Sequence, residues 1–414
     1  MSKKRIVILG GGDRGAVYAR GLARWADRVD IVGLAEPRDA YRRPLAAELG
    51  LDEGQTFADW EEAVRRVPAA DAVVIAMPDR LHASSAIACA QRNWHILLEK
   101  PLATSADDCR RIAAAVREHG VMLAVCHVLR YAPYTRRIKQ LLADGAIGEV
   151  VSVQHLEPVG YWHQAHSFVR GNWRNEQHSC FMLLAKCSHD VDWLSHVVNS
   201  SPRRVSSFGG LRHFRSENAP AGAGERCIAC AVEADCPYSA RRIYQRLYDE
   251  GCRGWPLTVL APEVTEANLD DALRRGPHGR CVYHCDNDVV DHQVVNIEFA
   301  GGQTASMTMT AFTRPAQDRH TRIFGTRGEL RCDGRRIEVY DFLTESVQTH
   351  DVDGGANHAG GDDALIDAFA RALTEDDPSA LLTGLDESLA SHLAVFAAED
   401  ARLTGRVVEV EREA

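Results

Sequence analysis

The chain has 414 residues, of which 45% are apolar and 26% charged, and its formal net charge is −10. This length and composition indicate a soluble globular protein of two or three domains. They exclude an intrinsically disordered protein and a small protein that depends on disulfide bonds for its stability. The acidic balance argues against DNA or RNA as the main partner, and no apolar run approaches the roughly 18 residues of a membrane span. Because no export signal is visible, we expect a cytoplasmic protein whose twelve cysteines are reduced.

Through the first 126 residues, short apolar runs alternate with amphipathic stretches. The runs are rich in Val, Ile and Leu, which is typical of parallel strands buried on both faces. Their alternation with helices predicts an α/β domain built on a doubly wound parallel sheet. The predicted strands are Arg5–Leu9, Ile31–Ala35, Ala72–Met77, Ile96–Leu98 and Met122–Cys126, and the predicted helices between them include Ala16–Ala26, Ala83–Arg92 and Ala106–His119.

After residue 127 the pattern changes to strands in which apolar and polar residues alternate. Such alternation predicts an antiparallel or mixed sheet with helices on one face. A Cys-, Arg- and Pro-rich insert at about 213–285 interrupts it with little strand periodicity, and a glycine hinge at 358–362 precedes the last two helices. The predicted strands are Val150–Glu157, Val289–Phe299, Thr304–Phe312, Thr321–Phe324, Glu329–Cys332 and Ile337–Tyr340, with helices at Pro133–Ala143, Ala364–Leu373 and Leu385–Thr404.

A glycine-rich turn follows the first predicted strand directly and has the spacing G-x-G-x-x-G. Such glycines permit a tight turn, let the backbone approach a pyrophosphate, and let helix and strand pack closely. The helix that begins at this turn offers free N–H groups to the phosphates. The predicted cofactor-binding residues of the turn are Gly10, Gly12, Asp13, Arg14 and Gly15.

An acidic residue closes the second predicted strand, since Glu36 stands 21 residues after Gly15. A carboxylate in this position can accept hydrogen bonds from a ribose diol and repels a 2′-phosphate. The pattern therefore favours NAD as the cofactor. Arg38, two residues further on, keeps NADP as the less favoured alternative.

Three more motifs follow in order along the chain: the turn Met77–His82, the triplet Glu99-Lys100-Pro101 after a predicted strand, and the segment Gly325–Glu329. Together with the glycine-rich turn they resemble the Gfo/Idh/MocA oxidoreductase family over nearly the whole chain, apart from the Cys-rich insert. The resemblance implies a Rossmann domain at 1–127. At 128–414 it implies an α/β domain with an open, mostly antiparallel sheet for substrate binding and assembly into homodimers or homotetramers. The cofactor contacts that it implies at these turns are Pro78, His82, Glu99 and Lys100.

The same resemblance implies NAD(P)-dependent oxidation or reduction of a secondary alcohol on a sugar, cyclitol or related molecule. Lys100 then lies at the carboxyl-terminal edge of the parallel sheet, where it can hydrogen-bond the reacting hydroxyl or relay its proton. His189 and Asp192 match the family's H-x-x-D on one helix face, and His189 is the candidate general acid or base. The Asp that many members carry four residues before this His is Ala185 here. Lys186 beside it is a third catalytic candidate that would make the site more cationic.

Substrate contacts are expected from two further stretches. The family often places a substrate-facing Arg after the sixth strand, where this chain has Arg130 and Tyr131. A later stretch combines aromatic and basic residues, which suits stacking and hydrogen bonding to a sugar ring and equally suits a core with solvated arginines. The substrate candidates there are Trp162, His166, Arg170 and Trp173, and Asp192 is added from the H-x-x-D motif.

The cysteines of the insert suggest a metal site. Cys227 and Cys230 form a C-x2-C pair, Cys236 follows, and Cys281 with Cys285 comes later as C-x3-C. A C-x2-C pair and further cysteines can complete the tetrahedron of a structural zinc ion, with Cys281 as the fourth ligand and Cys285 as its alternative. An iron–sulfur cluster and unliganded thiols are the other two interpretations.

The sequence as a whole predicts an NAD-dependent enzyme that transfers a hydride between nicotinamide and a secondary alcohol of a sugar, cyclitol or glycoside. A second hypothesis keeps the site and changes the reaction: transient oxidation by a tightly held NAD, elimination, and return of the hydride, as in a redox-neutral glycosidase or lyase. A third hypothesis is a non-catalytic NAD-binding sensor. The substitution at Ala185 and the insert keep the second hypothesis open.

Overall fold

The structure, a computed structural model, describes residues 2–314, 319–352 and 360–411. Residues 358 and 359 of the predicted glycine hinge lie outside these ranges. The described chain forms a six-stranded sheet and a nine-stranded sheet. No helix in the described ranges is both long and apolar enough to cross a membrane.

The first sheet is parallel throughout and has the strand order β3-β2-β1-β4-β5-β6. In this order the chain reverses direction across the sheet between β1 and β4, and ligands bind at the carboxyl ends of strands at such a point. The predicted doubly wound parallel sheet is therefore confirmed. Its elements are β1 Lys4–Leu9, α1 Asp13–Ala23, β2 Val29–Ala35, α2 Asp39–Glu48, β3 Thr56–Phe57, α3 Trp60–Arg66, β4 Ala72–Ile75, α4 His82–Gln91, β5 His95–Leu98, α5 Ala106–His119 and β6 Leu123–Val125.

The second sheet is mixed, with β7 and β10 parallel and the other pairings antiparallel. Its order is β14-β13-β12-β11-β7-β10-β9-β8-β15, which confirms the open, mostly antiparallel sheet. Its elements are α6 Pro133–Ala143, β7 Val150–Pro158, α7 Tyr161–His163, α8 Met182–Val198, β8 Pro202–Gly210, β9 His292–Phe299, β10 Thr304–Thr310, β11 His320–Gly325, β12 Gly328–Cys332, β13 Arg336–Asp341, β14 Ser346–Asp351, α12 Gly361–Glu375, α13 Leu385–Thr404 and β15 Val408–Glu409. Helix α7 continues directly as a π-helix over Gln164–Arg170.

Residues 211–291 connect β8 to β9, which are neighbours in the sheet, and we call this connection the insert. It contains three helices that the sequence analysis did not assign: α9 Ala240–Asp249, α10 Leu257–Leu260 and α11 Glu266–Arg275. Their apolar residues form a small core of their own, in which Ile243 and Tyr244 pack with Leu257, Leu269 and Leu273. In α9 the apolar residues Ile243, Tyr244, Leu247 and Tyr248 recur at helical spacing, so this helix had a sequence signal that was overlooked among the arginines and cysteines of the insert.

Of the last two long helices, α12 packs on the first domain and α13 joins the two sheets. Helix α12 packs on α1 so closely that a Cβ built at Gly21 would lie 2.4 Å from the Ile366 side chain. Helix α13 begins and ends where predicted, and its buried His392 accepts a 2.8 Å hydrogen bond from the backbone N–H of Leu102. The turn that carries Lys100 and Pro101 is thereby held by the carboxyl-terminal part of the chain.

Candidate functional site

The glycine-rich turn lies between β1 and α1 and has no room for side chains. Gly10 has φ +98°, and a Cβ built there would lie 2.3 Å from the Ala76 carbonyl oxygen; one built at Gly15 would lie 1.8 Å from the Gly10 carbonyl oxygen. Gly12 caps α1 without a side-chain hydrogen bond, so the first-turn N–H groups beside Asp13 remain available. This backbone cradle fits the pyrophosphate of a dinucleotide.

Glu36 lies beside the cradle at the end of β2. Its carboxylate is 3% exposed and accepts hydrogen bonds from the Gly11 N–H at 3.0 Å and from Arg38 Nε at 2.7 Å. Burial raises the pKa of Glu36, but the hydrogen bonds from Arg38 and Gly11 outweigh it and hold the pKa below its ordinary value. Arg38 also stacks on Tyr41, with 4.1 Å from guanidinium to ring centroid. An ionised carboxylate in this position fits a ribose diol, so the residues present fit NAD.

Arg14 and Glu99, both predicted to contact the cofactor, bond to each other across the carboxyl-terminal edge of the sheet. Arg14 Nε lies 2.5 Å from Glu99 Oε1, which also accepts from the Tyr18 hydroxyl at 2.6 Å, and Arg14 forms an ion pair with the buried Asp362 of α12. Burial raises the pKa of Glu99, but Arg14 and Lys100 bring it below its ordinary value. Glu99 also accepts the Lys100 backbone N–H at 2.8 Å, so this network positions the lysine.

The turns after β4 and β5 are joined by a buried histidine. His82 Nδ1 lies 2.7 Å from the Pro101 carbonyl oxygen, and its Nε2 lies 3.0 Å from the Met77 carbonyl oxygen. Pro78 caps the short turn that leads into α4, the helix that begins at His82, and Asp79 in that turn is buried. His82 and Pro78 thus shape the edge at which the nicotinamide end of the cofactor would lie.

Lys100 stands where the two parts of the chain meet. Its Nζ donates a 2.5 Å hydrogen bond to the Ala185 carbonyl oxygen on α8. Burial lowers the pKa of Lys100, Glu99 and Asp79 oppose this, and nearby Lys186 lowers it further, so the net pKa is below that of an ordinary lysine. Although Ala185 lacks the carboxylate of the family pattern, its backbone oxygen supplies an acceptor for Lys100.

His189 lies one helical turn beyond Ala185 on the same side of α8 and is 6% exposed. Its ring meets that of His127 edge-on, with 5.7 Å between centroids. His127, which sequence reasoning missed, stands two residues after the end of β6 and so lies at the same edge of the sheet as Lys100; that placement was the available signal. Burial, together with Arg130 and Lys100, holds the pKa of His127 well below its ordinary value.

Lys186 lies beside the site and is paired. Its Nζ is 3.1 Å from Glu157 Oε1 at the end of β7, and Glu157 also contacts Arg319 at 3.0 Å. Arg319 in turn lies 2.5 Å from Asp190, so a buried row of alternating charges runs behind the site. The positive charge of Lys186 still acts on Lys100, whose pKa it lowers.

His163 is a second candidate that the sequence analysis did not select. Its Nδ1 is buried, and the Val159 backbone is a hydrogen-bond partner of its ring. Burial lowers the pKa of His163 far below its ordinary value, and Lys186 and Lys100 add to this effect. The hydrogen bond to the Val159 backbone opposes this shift, and a neutral imidazole has one ring nitrogen that can accept a hydrogen bond from a hydroxyl group. The only sequence signal was its place within the aromatic and basic stretch.

Arg130 and Asp192, both predicted to face the substrate, form a buried ion pair with each other. Arg130 Nε and Nη2 each lie 2.7 Å from an oxygen of Asp192, and Arg130 Nη1 donates to the Leu382 carbonyl oxygen at 2.8 Å. Tyr131 is also buried, and its hydroxyl contacts Thr383 at 3.2 Å and accepts from the Leu382 N–H at 2.8 Å. These three residues tie α8 and the segment after β6 to the chain before α13.

The aromatic and basic candidates gather on the side facing the insert. Trp162 packs 5.6 Å from Trp255, and His166 lies 2.8 Å from the Tyr244 hydroxyl and stacks on His278. Trp173 donates from Nε1 to the buried Asp79 at 3.0 Å. Arg170 points to the cysteines of the insert, with Nη2 3.5 Å from Cys227 Sγ. The structure brings these residues together, with Trp173 nearest the sheet edge.

The four predicted metal ligands, Cys227, Cys230, Cys236 and Cys281, line one cavity of about 20 Å³. Cys285 turns away, its sulfur 3.2 Å from the Cys281 carbonyl oxygen. In the described ranges, no group of three or more His, Cys, Asp or Glu side chains is placed so that it could hold a metal ion. The zinc site predicted from these four cysteines is therefore not shown by the side-chain positions.

Comparison with known proteins identifies both parts of the chain. Residues 4–127 match the model of an oxidoreductase family's NAD-binding Rossmann fold, and residues 139–410 match the model of the same family's carboxyl-terminal α/β domain, Gfo/Idh/MocA in both cases. These matches account for both sheets.

Among curated relatives, the oxidoreductase YteT of Bacillus subtilis is 26% identical over 84% of this chain and 83% of its own length. A 1,5-anhydro-D-fructose reductase of Ensifer adhaerens is 33% identical over 45% of this chain and 53% of its own. A 2,7-anhydro-N-acetylneuraminate hydratase of Mediterraneibacter gnavus is 27% identical over 49% of this chain and 51% of its own. The match with YteT extends across both domains.

Among solved structures, that of a levoglucosan dehydrogenase in complex with NADH and levoglucosan has a TM-score of 0.72. It is 17% identical in sequence, and the alignment covers 99% of this chain and all of that chain. At this identity the similarity shows the fold.

Proposed function

The chain belongs to the Gfo/Idh/MocA oxidoreductase family, and we propose that it transfers a hydride between NAD and a carbon bearing a secondary hydroxyl of a sugar, cyclitol or glycoside. The N-terminal domain is an NAD-binding Rossmann fold. Two of the relatives are named for anhydro sugars, and the solved relative contains levoglucosan. Assembly into a homodimer or homotetramer stays a prediction of the family resemblance.

The observation that carries this proposal is the setting of Lys100. Its amine lies at the carboxyl-terminal edge of the parallel sheet, is held by Ala185 of α8, and has a pKa below the ordinary lysine value. A lysine that loses its proton more readily can act as a base near neutral pH. Two histidines lie near Lys100. His189 is one turn beyond Ala185 on α8, and His163 is close enough that the charge of Lys100 lowers its pKa.

In the oxidation direction, bound NAD⁺ would supply the hydride acceptor. The neutral amine of Lys100 takes the hydroxyl proton as the carbon–hydrogen bond breaks, and the resulting ammonium stabilises negative charge on the oxygen that becomes the carbonyl oxygen. The neutral ring of His163 accepts a hydrogen bond from a neighbouring hydroxyl and so orients the substrate. His189 passes the proton from Lys100 towards solvent or holds the reacting hydroxyl itself. In the reductive direction Lys100 returns the proton.

The test is the near-ultraviolet absorbance of NADH during incubation with NAD⁺ and a panel of sugars, cyclitols, anhydro sugars and aryl glycosides. We expect a rising signal with at least one class, and a fall of about 10²- to 10⁴-fold in kcat for Lys100→Met, the range for loss of one acid–base group. Lys139→Met is the matched control, since Lys139 Nζ also donates to a carbonyl oxygen of α8, that of His196 at 2.8 Å, away from the sheet edge. If both variants lose activity equally, Lys100 is not the base. If no class gives turnover in the wild type and Lys100→Met changes nothing, the sensor hypothesis replaces the enzyme.

A redox-neutral reaction is the second candidate, and one contact favours it. Thr258 of the insert donates to Asp13 of the glycine-rich turn at 3.2 Å, and the Tyr41 hydroxyl donates to the Thr258 carbonyl oxygen at 2.8 Å. The insert thus bridges α1 and α2 at the mouth of the nucleotide site. A dinucleotide beneath this bridge would leave slowly, and a slow-leaving cofactor suits a cycle in which the hydride is returned to the same substrate.

The two reactions differ in their use of NAD. A redox-neutral enzyme would retain NAD through purification, show no net NADH, and release aglycone or exchange substrate hydrogen with solvent deuterium when no NAD is added. A dehydrogenase would stop after one equivalent of hydride unless free NAD⁺ is supplied. Mass spectrometry of the product with and without added NAD⁺ decides between them.

A further inference from the structure

The insert brings four sulfur atoms from distant parts of its sequence to one place. Cys227 and Cys230 lie on a single helical turn, and Cys236 follows a second such turn. Cys281 reaches them because Arg226 and Arg280 form an isolated antiparallel bridge, and the Cys281 N–H donates to the Glu225 carbonyl oxygen at 2.9 Å. All four cysteines line the same cavity of about 20 Å³, which has room for one atom of about the size of water.

Backbone N–H groups point at these sulfurs. Gly224 N–H donates to Cys230 Sγ and Ala240 N–H to Cys227 Sγ, each at 3.4 Å. Cys236 and Cys281 each accept a hydrogen bond from the backbone two residues further on, at Tyr238 and Tyr283. These contacts hold the sulfur atoms in place around the cavity, while burial raises the pKa of the Cys236 and Cys281 thiols.

Arg170 is an independent observation that points to negative charge in the cavity. The residue is 1% exposed, and its Nη1 has no hydrogen-bond partner among the described residues. Its other nitrogens donate to the carbonyl oxygens of Arg280 and Tyr238, both at 2.7 Å, and to Cys227 Sγ at 3.5 Å. No ion pair within the described chain offers it a carboxylate. An uncompensated buried guanidinium is costly, and four thiolates around a divalent ion carry a net charge of about −2 that would balance it.

The other two cysteines of the insert turn elsewhere. Cys285 Sγ contacts the Cys281 carbonyl oxygen, and Cys252 Sγ lies 3.8 Å from the Gly254 and 3.6 Å from the Trp255 carbonyl oxygen. Four sulfurs are the number that a structural zinc ion takes, and a cavity of about 20 Å³ is too small for an iron–sulfur cluster. Cys281, not Cys285, is the fourth sulfur.

We propose that Cys227, Cys230, Cys236 and Cys281 bind one Zn²⁺ ion that holds the insert in place over the nucleotide site, with Arg170 balancing its charge. As the side chains stand in the described chain, they do not yet form a coordination sphere. Each sulfur is one rotatable bond from the backbone, so four thiols that lose their protons can turn into the cavity and close on the ion. The insert that the ion would hold carries Thr258, which contacts the glycine-rich turn.

The experiment counts bound metal by plasma mass spectrometry in the untagged full chain expressed with zinc. We expect about one zinc ion per chain in the wild type, and loss of about nine-tenths of it in Cys230→Ser and in Cys236→Ser. Cys252→Ser and Cys285→Ser are matched controls in the same insert and should keep the metal. Cobalt in place of zinc should give the intense visible absorption of a tetrahedral thiolate site, and Cys230→Ser should abolish it.

If the ligand variants do not fold, the wild type still decides. An organomercurial titrated against the native protein should release zinc in step with the modified thiols, as followed with a zinc-binding dye. A wild type without stoichiometric metal overturns the proposal, as does zinc that Cys230→Ser and Cys236→Ser retain. Iron with acid-labile sulfide in place of zinc overturns the single-ion site.

Discussion

The glycine-rich turn and the insert touch each other beside the nucleotide site and are built in opposite ways. The turn is made by backbone, since Gly10 and Gly15 leave no space for a Cβ and the residues involved are neighbours in sequence. The cysteine cavity of the insert is made by side chains that an isolated bridge brings together. A site made by backbone leaves a short motif in the sequence. One made by distant side chains leaves only residue types, whose grouping the fold decides.

The largest effect is expected at the glycine-rich turn, the site made by backbone. Gly10→Ala should cost about 3 kcal/mol or more in the free energy of unfolding and abolish NAD binding, because the new Cβ would meet the Ala76 carbonyl oxygen at 2.3 Å and force a non-glycine residue to φ +98°. Gly54→Ala is the control, since a Cβ there has nothing within 4 Å. Denaturant unfolding and calorimetric NAD titration measure both. Equal behaviour of the two variants would contradict the account.

A smaller effect is expected at the cysteine cavity, the site made by side chains. Arg170→Gln should weaken zinc binding by about 10- to 100-fold, the usual cost of losing a residue that supports metal ligands, while leaving the four sulfurs in place. Competition with a chelator of known affinity measures this. Arg174→Gln is the control, because that neighbouring arginine is occupied with Asp286 at 2.8 Å. Unchanged affinity in Arg170→Gln would remove its role in balancing charge.

A still smaller effect concerns the contact between the two regions. Tyr41→Phe removes the 2.8 Å hydrogen bond to the Thr258 carbonyl oxygen, so NAD should dissociate about 2- to 10-fold faster, as loss of one hydrogen bond allows. Stopped-flow displacement of NADH, followed by its fluorescence, gives the rate. Tyr340→Phe is the control. Tyr340 lies on β13, near the opposite end of the nine-stranded sheet from β8, the strand that leads into the insert, so this change should leave the dissociation rate unchanged.

The smallest expected effect is a displaced pH profile. Oxidation needs neutral Lys100, so kcat/KM should rise with pH as the solution passes the lowered pKa of this lysine and level off below the ordinary lysine range. Lys186→Met removes a cation that lowers this pKa, so the rising limb should move to higher pH. Glu99→Gln removes a carboxylate that raises it, so the limb should move to lower pH. Shifts in the same direction would show that Lys100 does not set the profile.

Much of the fold could be predicted from sequence because its signals are local. Helix α5 begins and ends as predicted, with Ser105 as its amino-terminal cap and Gly120 in the left-handed conformation at its end. Strand β8, by contrast, was missed, because Pro202–Gly210 mixes charged, small and glycine residues and its pairing partners lie far along the chain. Strands β14 and β15 were missed for a similar reason.

The candidate site divides in the same way. The turn at Gly10–Gly15 and the place of Lys100 follow from motifs within a few residues. The mutual pairing of Arg130 and Asp192 could not be predicted, since each residue type equally suits a substrate contact and only the fold brings the two together. Nor could the acceptor for Lys100, because a backbone carbonyl at Ala185 has no signature in the sequence.

The π-helical segment Gln164–Arg170 has a consequence for how parts of this enzyme could be exchanged. It begins beside His163 at the reaction site, presents His166 to Tyr244 of the insert, and ends with Arg170 at the sulfur cavity. Removing one residue would restore an ordinary α-helix with its regular backbone hydrogen bonds. It would also rotate all later side chains away from their partners. An insert transplanted from a relative should therefore keep its contacts with the site only if the relative's own π-helical segment is transplanted with it.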